Sequence, residues 1–310
     1  MRLSIVTTLY RSAPYLAEFY TRVTAAARAI TDDYEIVFVN DGSPDNALEM
    51  ALELLEKDDR LRIIDLSRNF GHHKAIMTGL GHARGDLIFL LDSDLEEDPE
   101  VLPTFLDRMT ATGADVVYGV RERREGGFLA RQGGELFYTL FNALSSHPVP
   151  RNVLTARLMT RRYVASLVQH RDRELFLLGL LTITGFAQVP VVSRKRRKSG
   201  SVYTLPRKLS LFVNAITSFS NTPLVAIFYL GCVISAASLA AAAHLIGRWL
   251  VHGELLAGWP SLIVSVWFLG GMTILCLGVI GIYLSKIFIE TKDRPFTVIR
   301  QIFERRREDG

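Results

Sequence analysis

Asp92-Ser93-Asp94 sets two carboxylates one residue apart, directly after the apolar run Leu87 to Leu91. Acidic oxygens at that spacing suit a hard divalent cation that also grips a pyrophosphate. The triplet equally suits an acidic turn capping a helix that opens near Pro99; its place at the end of a buried strand favours the first reading. Asp41, within Asn40-Asp41-Gly42-Ser43, can accept a hydrogen bond from a nucleobase or ribose, or can stabilise its own Asp-Gly-Ser turn. Arg68-Asn69-Phe70-Gly71-His72-His73-Lys74 opens a predicted helix, and helix openings suit anions. His72 and His73 read first as satisfied loop residues, with metal binding the rarer alternative. Arg121, Arg123, Arg124 and Arg131 follow a fifth apolar run, placed to meet phosphates or to form a solvated charge run.

These groups need a scaffold, and the sequence supplies strands alternating with helices. Leu3 to Leu9, Glu35 to Asn40, Arg62 to Leu66, Leu87 to Asp92 and Asp115 to Val120 are short β-branched or apolar runs. Ala13 to Thr31 and Pro44 to Lys57 are amphipathic at helical length. This alternation predicts an α/β fold with a mostly parallel sheet covered on both faces. Ligands of such sheets bind beyond the carboxyl ends of the strands, where Asp41 and Asp92 to Asp94 fall. After Val120 helical patterns predominate (Phe128 to Leu144, Arg161 to His170), with one late strand expected at Gln188 to Ser193.

The C-terminal part has another character. No Asp, Glu, Lys or Arg occurs from Leu224 to Gly247 or from Ser261 to Ser285. Each run exceeds the roughly 20 apolar residues that cross a bilayer. The connector carries Trp249 and Trp259 where an interfacial aromatic belt belongs, and basic clusters (Arg194 to Lys198, Arg305 to Arg307) flank the pair. By the positive-inside rule the soluble part and both termini are expected in the cytoplasm. Leu3 to Leu9 is too short and mixed for a secretory signal. Leu209, Phe212, Val213, Ile216 and Phe219 give Pro206 to Thr222 an amphipathic face suited to the membrane interface. The expected division is a soluble domain over 1–205, an interfacial segment over 206–222, a two-helix hairpin over 223–289 and a basic tail over 290–310. A formal charge of +4 does not call for nucleic acid, and the basic flanks more readily meet anionic lipid. Cys232 and Cys276 both fall inside the apolar runs, so neither a disulfide framework nor a zinc site is expected.

The order Tyr10, Val39 to Ser43, Ser67 to Gly71, Asp92-Ser93-Asp94-Leu95 and two C-terminal spans resembles the polyprenyl-phosphate glycosyltransferases. These are relatives of dolichol-phosphate mannosyltransferase among the inverting family-two enzymes with a GT-A fold. The resemblance covers essentially the whole chain. It implies sugar transfer from a UDP- or GDP-linked donor to a polyprenyl phosphate with Mg²⁺ or Mn²⁺, at the bacterial cytoplasmic membrane, and it allows a homo-oligomer. By carry-over, Thr8, Tyr10, Asp41, Lys74, Asp92 and Ser93 contact the nucleotide sugar. Asp92, Asp94 and Glu96 hold the metal, and Asp94, Arg121 and Arg131 serve the reaction. Arg131, Arg197, Lys198 and Arg207 meet the acceptor phosphate. The chain departs from the family pattern at Ser12 (usually Glu), Glu96 (usually Gln), Thr155 (usually Asp) and the shortened loop Gly200-Ser201-Val202-Tyr203. A processive polysaccharide synthase is disfavoured, because all three tryptophans lie in or beside the apolar region. A nucleotide-sugar-binding scaffold subunit is the alternative from another class.

Overall fold

The computed structural model describes residues 1–121, 152–173, 175, 177–193, 222–252 and 258–305. They divide into two units, one carrying the sheet and its helices and the other two long helices. The expected helix at Phe128 to Leu144 and nearly all of the expected interfacial segment lie outside the described residues.

In the first unit, strands β1 (Leu3–Leu9), β2 (Tyr34–Asn40), β3 (Leu61–Leu66) and β4 (Leu87–Leu90) are buried almost throughout. Continuous burial belongs to parallel strands covered on both faces, which is why they read as apolar runs rather than alternating ones. Strands β5 (Val116–Val120), β6 (Val153–Thr160), β7 (Gln188–Val192) and β8 (Ile299–Glu304) complete a sheet of order β7-β5-β6-β4-β1-β2-β3-β8. β1 pairs in parallel with both β2 and β4, so the winding reverses direction there. A crevice opens at such a reversal, at the carboxyl ends of β1 and β4.

Two strands depart from the sequence reading. β6 lies antiparallel between β4 and β5, although its polar Thr155 and Arg157 hide a strand pattern. β8, expected as part of a basic tail, pairs antiparallel with the sheet edge at β3.

Helices α1 (Ala13–Arg28), α2 (Ala47–Leu55), α3 (His72–His82) and α4 (Leu102–Thr112) alternate with the strands. α1 carries a proline in its first turn, where no intrahelical amide is lost. It buries Leu16, Phe19, Val23, Ala26 and Ala27, a stripe at helical spacing. Short helices α5 (Arg161–Leu167) and α6 (Leu177–Ile183) follow β6. Phe89 of β4, fully buried, meets Phe105 of α4 edge-on with centroids 6.3 Å apart. Phe89→Ala should cost about 3–5 kcal/mol, read from denaturant unfolding.

The second unit holds α7 (Thr222–His252) and α8 (Trp259–Thr291). Their segments Thr222–Ala241 and Ser265–Thr291 have mean hydropathies of 2.2 and 2.1, and neither is buried inside the protein. Both are long and apolar enough to cross a membrane.

Candidate active site

Asp41 follows β2 and is 2% exposed. Its two carboxylate oxygens accept the amides of Phe70 and Gly71 at 2.7 and 3.0 Å, and its carbonyl accepts from the Asn69 side chain at 3.1 Å. Burial raises its pKa above the usual carboxylate range, against the pull of those amides and of His72 and Arg68. The carboxylate thus clamps the neighbouring 69–71 segment rather than its own Asp-Gly-Ser turn, whose Ser43 amide goes to Asn40 Oδ1 instead. Gly42 makes the clamp sterically feasible, with φ +59° and an added Cβ only 2.5 Å from the Asn69 nitrogen. Gly42→Ala should destabilise by about 1–2 kcal/mol for the left-handed backbone alone. The backbone clash adds to that, and thermal unfolding together with nucleotide affinity checks it.

The ends of β1 and β4 are stitched by hydroxyls. The Tyr10 amide donates to Ser12 Oγ at 3.1 Å, Ser12 and Ser93 hydroxyls meet at 2.8 Å, and Ser93 donates to the Thr8 carbonyl at 2.8 Å. Ser12 and Ser93 are 5% exposed, so the hydroxyl standing where a carboxylate was expected is fully used inside the protein. The turn between β1 and α1 is tight, with Arg11 at φ 55°. It is tied to the Asp41 loop through Arg11 N to Ser43 Oγ at 2.7 Å, and Asp45 accepts the Ala13 amide at 2.9 Å.

His72, at the start of α3, bridges the two strand ends. Its Nδ1 meets Thr8 Oγ1 at 3.0 Å and its Nε2 lies 3.3 Å from Asp92 Oδ1. Partial withdrawal from water opposes its charge. The hydrogen bond and charge of Asp92, with Asp41 and Asp94 beyond, outweigh this and hold its pKa above the ordinary value. His73, facing the Leu175 carbonyl at 3.3 Å, is pushed the other way by burial. The satisfied-loop reading thus describes His73, whereas His72 belongs to the Asp92 site.

Past Asp94, whose Oδ1 accepts the Glu96 amide at 3.0 Å, Leu95 turns through φ 58°. Glu97 is 1% exposed and accepts the amides of Thr155 and Ala156 at 3.1 and 2.6 Å, fastening the acidic turn to β6. Arg157 donates to the carbonyls of Thr155 and Leu154, each at 3.0 Å. Burial draws its pKa below the usual guanidinium range, partly offset by Glu97 and Asp92. With His72, His73 and apolar residues of α6 it lines a cavity of about 180 Å³. Nothing in the sequence singles out Glu97. Its burial was not readable because the partner amides lie 58 and 59 positions away.

Of the expected site residues, Thr8, Asp41, Asp92, Ser93 and Asp94 gather at the β1, β2 and β4 ends. Tyr10 is 46% exposed beside them, and Lys74 sits in the first turn of α3. Arg121 follows β5 and holds a buried Nε without a partner among the described residues. Arg123, Arg124, Arg131, Arg197, Lys198 and Arg207 lie outside the described residues. Among the described residues no three histidine, cysteine or acidic side chains converge as a metal cage. Asp92 and Asp94 flank Ser93 at the end of β4, and Glu96 follows the Leu95 turn, its amide bonded to Asp94. Asp92 and Asp94 still fit a hard cation, because Mg²⁺ typically takes one or two carboxylates and completes its shell with phosphate oxygens.

Comparison with known proteins extends the reading. A Mycobacterium tuberculosis (strain CDC 1551 / Oshkosh) protein named among glycosyltransferases is 56% identical over 303 residues, covering 98% of this chain and 89% of its own. The Escherichia coli (strain K12) prophage bactoprenol glucosyl transferase homolog is 35% identical over 306 residues, covering 97% and 99%. The bactoprenol glucosyl transferase of Shigella phage SfII is 36% identical over 306 residues, covering 97% and 98%. The Glycosyl transferase family 2 model matches residues 4–168, from the first strand through the short helix after β6. The reversed winding at β1 and the acidic end of β4 are thus features of a family member: the chain belongs to glycosyl transferase family 2.

Proposed function

We propose that this glycosyltransferase moves a sugar from a UDP- or GDP-linked donor to a polyprenyl phosphate, inverting the anomeric centre. The observation that carries the reading is the union of two features in one chain. An acidic strand end lies at the sheet's topological switch, and two helices are apolar enough to cross a membrane. A lipid-borne acceptor explains the second feature and a diphosphate donor the first. The bactoprenol named for two relatives is a polyprenol, and it supports the same acceptor class.

An acceptor phosphate has a second pKa of about 6 and is largely dianionic at neutral pH. It attacks without a protein base, which agrees with His72 being held between Asp92 and Thr8. The protein's task is to bring two anions together and to orient them for in-line displacement. The Asp41 loop and Thr8 receive the nucleoside, with Tyr10 and Lys74 beside it. Asp92 and Asp94 would hold a divalent cation at the diphosphate end of the donor. When bound, Mg²⁺ or Mn²⁺ offsets negative charge on the departing nucleotide. Arg121, at the end of β5, and Arg131 meet the donor or acceptor phosphate, and Arg197, Lys198 and Arg207 serve the acceptor. α7 and α8 cross the cytoplasmic membrane as a hairpin, with the sheet domain and both termini in the cytoplasm.

Membranes containing the protein, given labelled nucleotide sugars and polyprenyl phosphate, should move label into the organic-extractable fraction. Nucleotide binding with no such label would replace this reading with a scaffold subunit.

A further inference from the structure

β8 lies outside the family-matched residues 4–168, yet its contacts reach the back of the Asp41 loop. Arg300 donates from Nη1 to Asp65 Oδ2 at 3.1 Å and from Nη2 to the Ser67 carbonyl at 2.8 Å. Asp65 is 2% exposed, and its other oxygen accepts from Asn40 Nδ2 at 2.7 Å. Asn40 Oδ1 in turn accepts the Ser43 amide at 3.1 Å. A continuous hydrogen-bonded chain therefore runs Arg300, Asp65, Asn40, Ser43, directly behind Asp41 and Gly42. The Ser67 contact reaches the opposite side of the same site, since Ser67 opens the segment whose Phe70 and Gly71 amides clamp Asp41. β8 and its approach reinforce that side as well: Val298 O accepts the Ser67 amide at 2.9 Å, and the Thr297 and Thr78 hydroxyls meet at 2.8 Å.

We propose that Arg300 is a positioning residue for the donor, fixing from the C-terminal strand both loops that flank Asp41. The inference rests on the reading that the Asp41 loop receives the nucleotide. Asp65 is a carboxylate withdrawn from water, and such a group needs a compensating donor or cation. Asn40 supplies one bond and Arg300 the other. Arg300 itself is 59% exposed, so water reaches the face of Asp65 it would vacate. Asn40 still donates to that carboxylate, and the loss of global stability is limited. The ion pair's effect falls on the geometry of the two loops. A lysine retains the charge but not the two-pronged donation to Asp65 and Ser67.

The test uses full-length protein in detergent or membranes, with Arg300→Ala, Arg300→Lys and Asp65→Asn. UDP and GDP binding is measured calorimetrically with Mn²⁺, alongside KM for donor and acceptor, kcat and Tm. In Arg300→Ala, affinity for the nucleoside diphosphate should fall about tenfold and donor KM should rise to match, the scale of one lost charge-assisted hydrogen bond. Acceptor KM and kcat should stay within about twofold and Tm within about 4 °C, with Arg300→Lys intermediate. Unchanged nucleotide affinity in Arg300→Ala overturns the inference. So does a joint rise of donor and acceptor KM accompanied by a collapse of Tm, which marks a merely structural role. A wild-type protein that takes up neither nucleotide overturns the proposed function and this inference with it.

Discussion

Asp94→Asn should reduce sugar transfer by a factor on the order of a thousand while leaving the fold intact. The separation of the two effects follows from how Asp94 is used. Within the protein it accepts the Glu96 amide with Oδ1 at 3.0 Å, a role that an asparagine oxygen also fills. The turn through Leu95 at φ 58° is thereby retained, so unfolding free energy should change by no more than about 0.5–1 kcal/mol. What disappears is one of the two negative charges at the end of β4, and with it, on the proposed reading, one of the two carboxylates that would hold the cation. Removing divalent cations with a chelator should lower wild-type turnover to a similar level. Adding the chelator to Asp94→Asn should then have little further effect. Turnover and thermal melts on the same preparations check both halves. Near-normal turnover in Asp94→Asn would remove Asp94 from the reaction.

Deleting residues 299–310 should cost about 3–5 kcal/mol and leave the protein prone to self-association. β8 covers β3, whose sequence LRIIDL would become an open apolar edge ready to pair with another chain. The deletion also strips Glu304 from Arg62, which is 4% exposed and bonded to it at 2.8 Å. Arg62 would keep Glu35 at 3.7 Å and the His82 carbonyl, and breaking half of a buried ionic cluster is costly. Denaturant unfolding and size-exclusion chromatography of the truncated full-membrane form measure the two consequences. This loss differs in kind from that of Arg300→Ala, which leaves the strand in place and should act on donor binding.

The parts of the fold that were legible share one physical cause. β1, β2, β3 and β4 are buried on both faces, so their sequences are nearly continuous apolar runs that point to a parallel sheet. Because ligands of such sheets sit at strand ends, the positions of Asp41 and Asp92 to Asp94 are readable from the sequence alone. The two apolar helices were equally plain, since charge is excluded from each over a bilayer's length.

Strands β6 and β8 were not legible for opposite reasons. β6 is buried but polar: Arg157 tolerates burial because carbonyls only two and three residues back receive its guanidinium, and nothing in residue type announces that. β8 is an edge strand, largely exposed and flanked by charge, and its ion pair with Arg62 spans 242 positions of chain. The site shows the same division. Ser12 read as a missing carboxylate, whereas its hydroxyl completes a relay with Ser93, whose significance needs both strand ends in view. His72 read as one of two loop histidines, and only the fold separates the ring facing Asp92 from the one facing Leu175.

The central claim is that a phosphate on a polyprenol receives the sugar. Purified full-length protein, supplied with a labelled nucleotide sugar and Mn²⁺, can be given polyprenyl phosphate, the matching polyprenol or no acceptor. Label should enter the organic phase with the phosphate alone, as a product whose anomeric configuration is opposite to the donor's. Equal labelling of the unphosphorylated polyprenol, or retention of configuration in the product, would contradict the account.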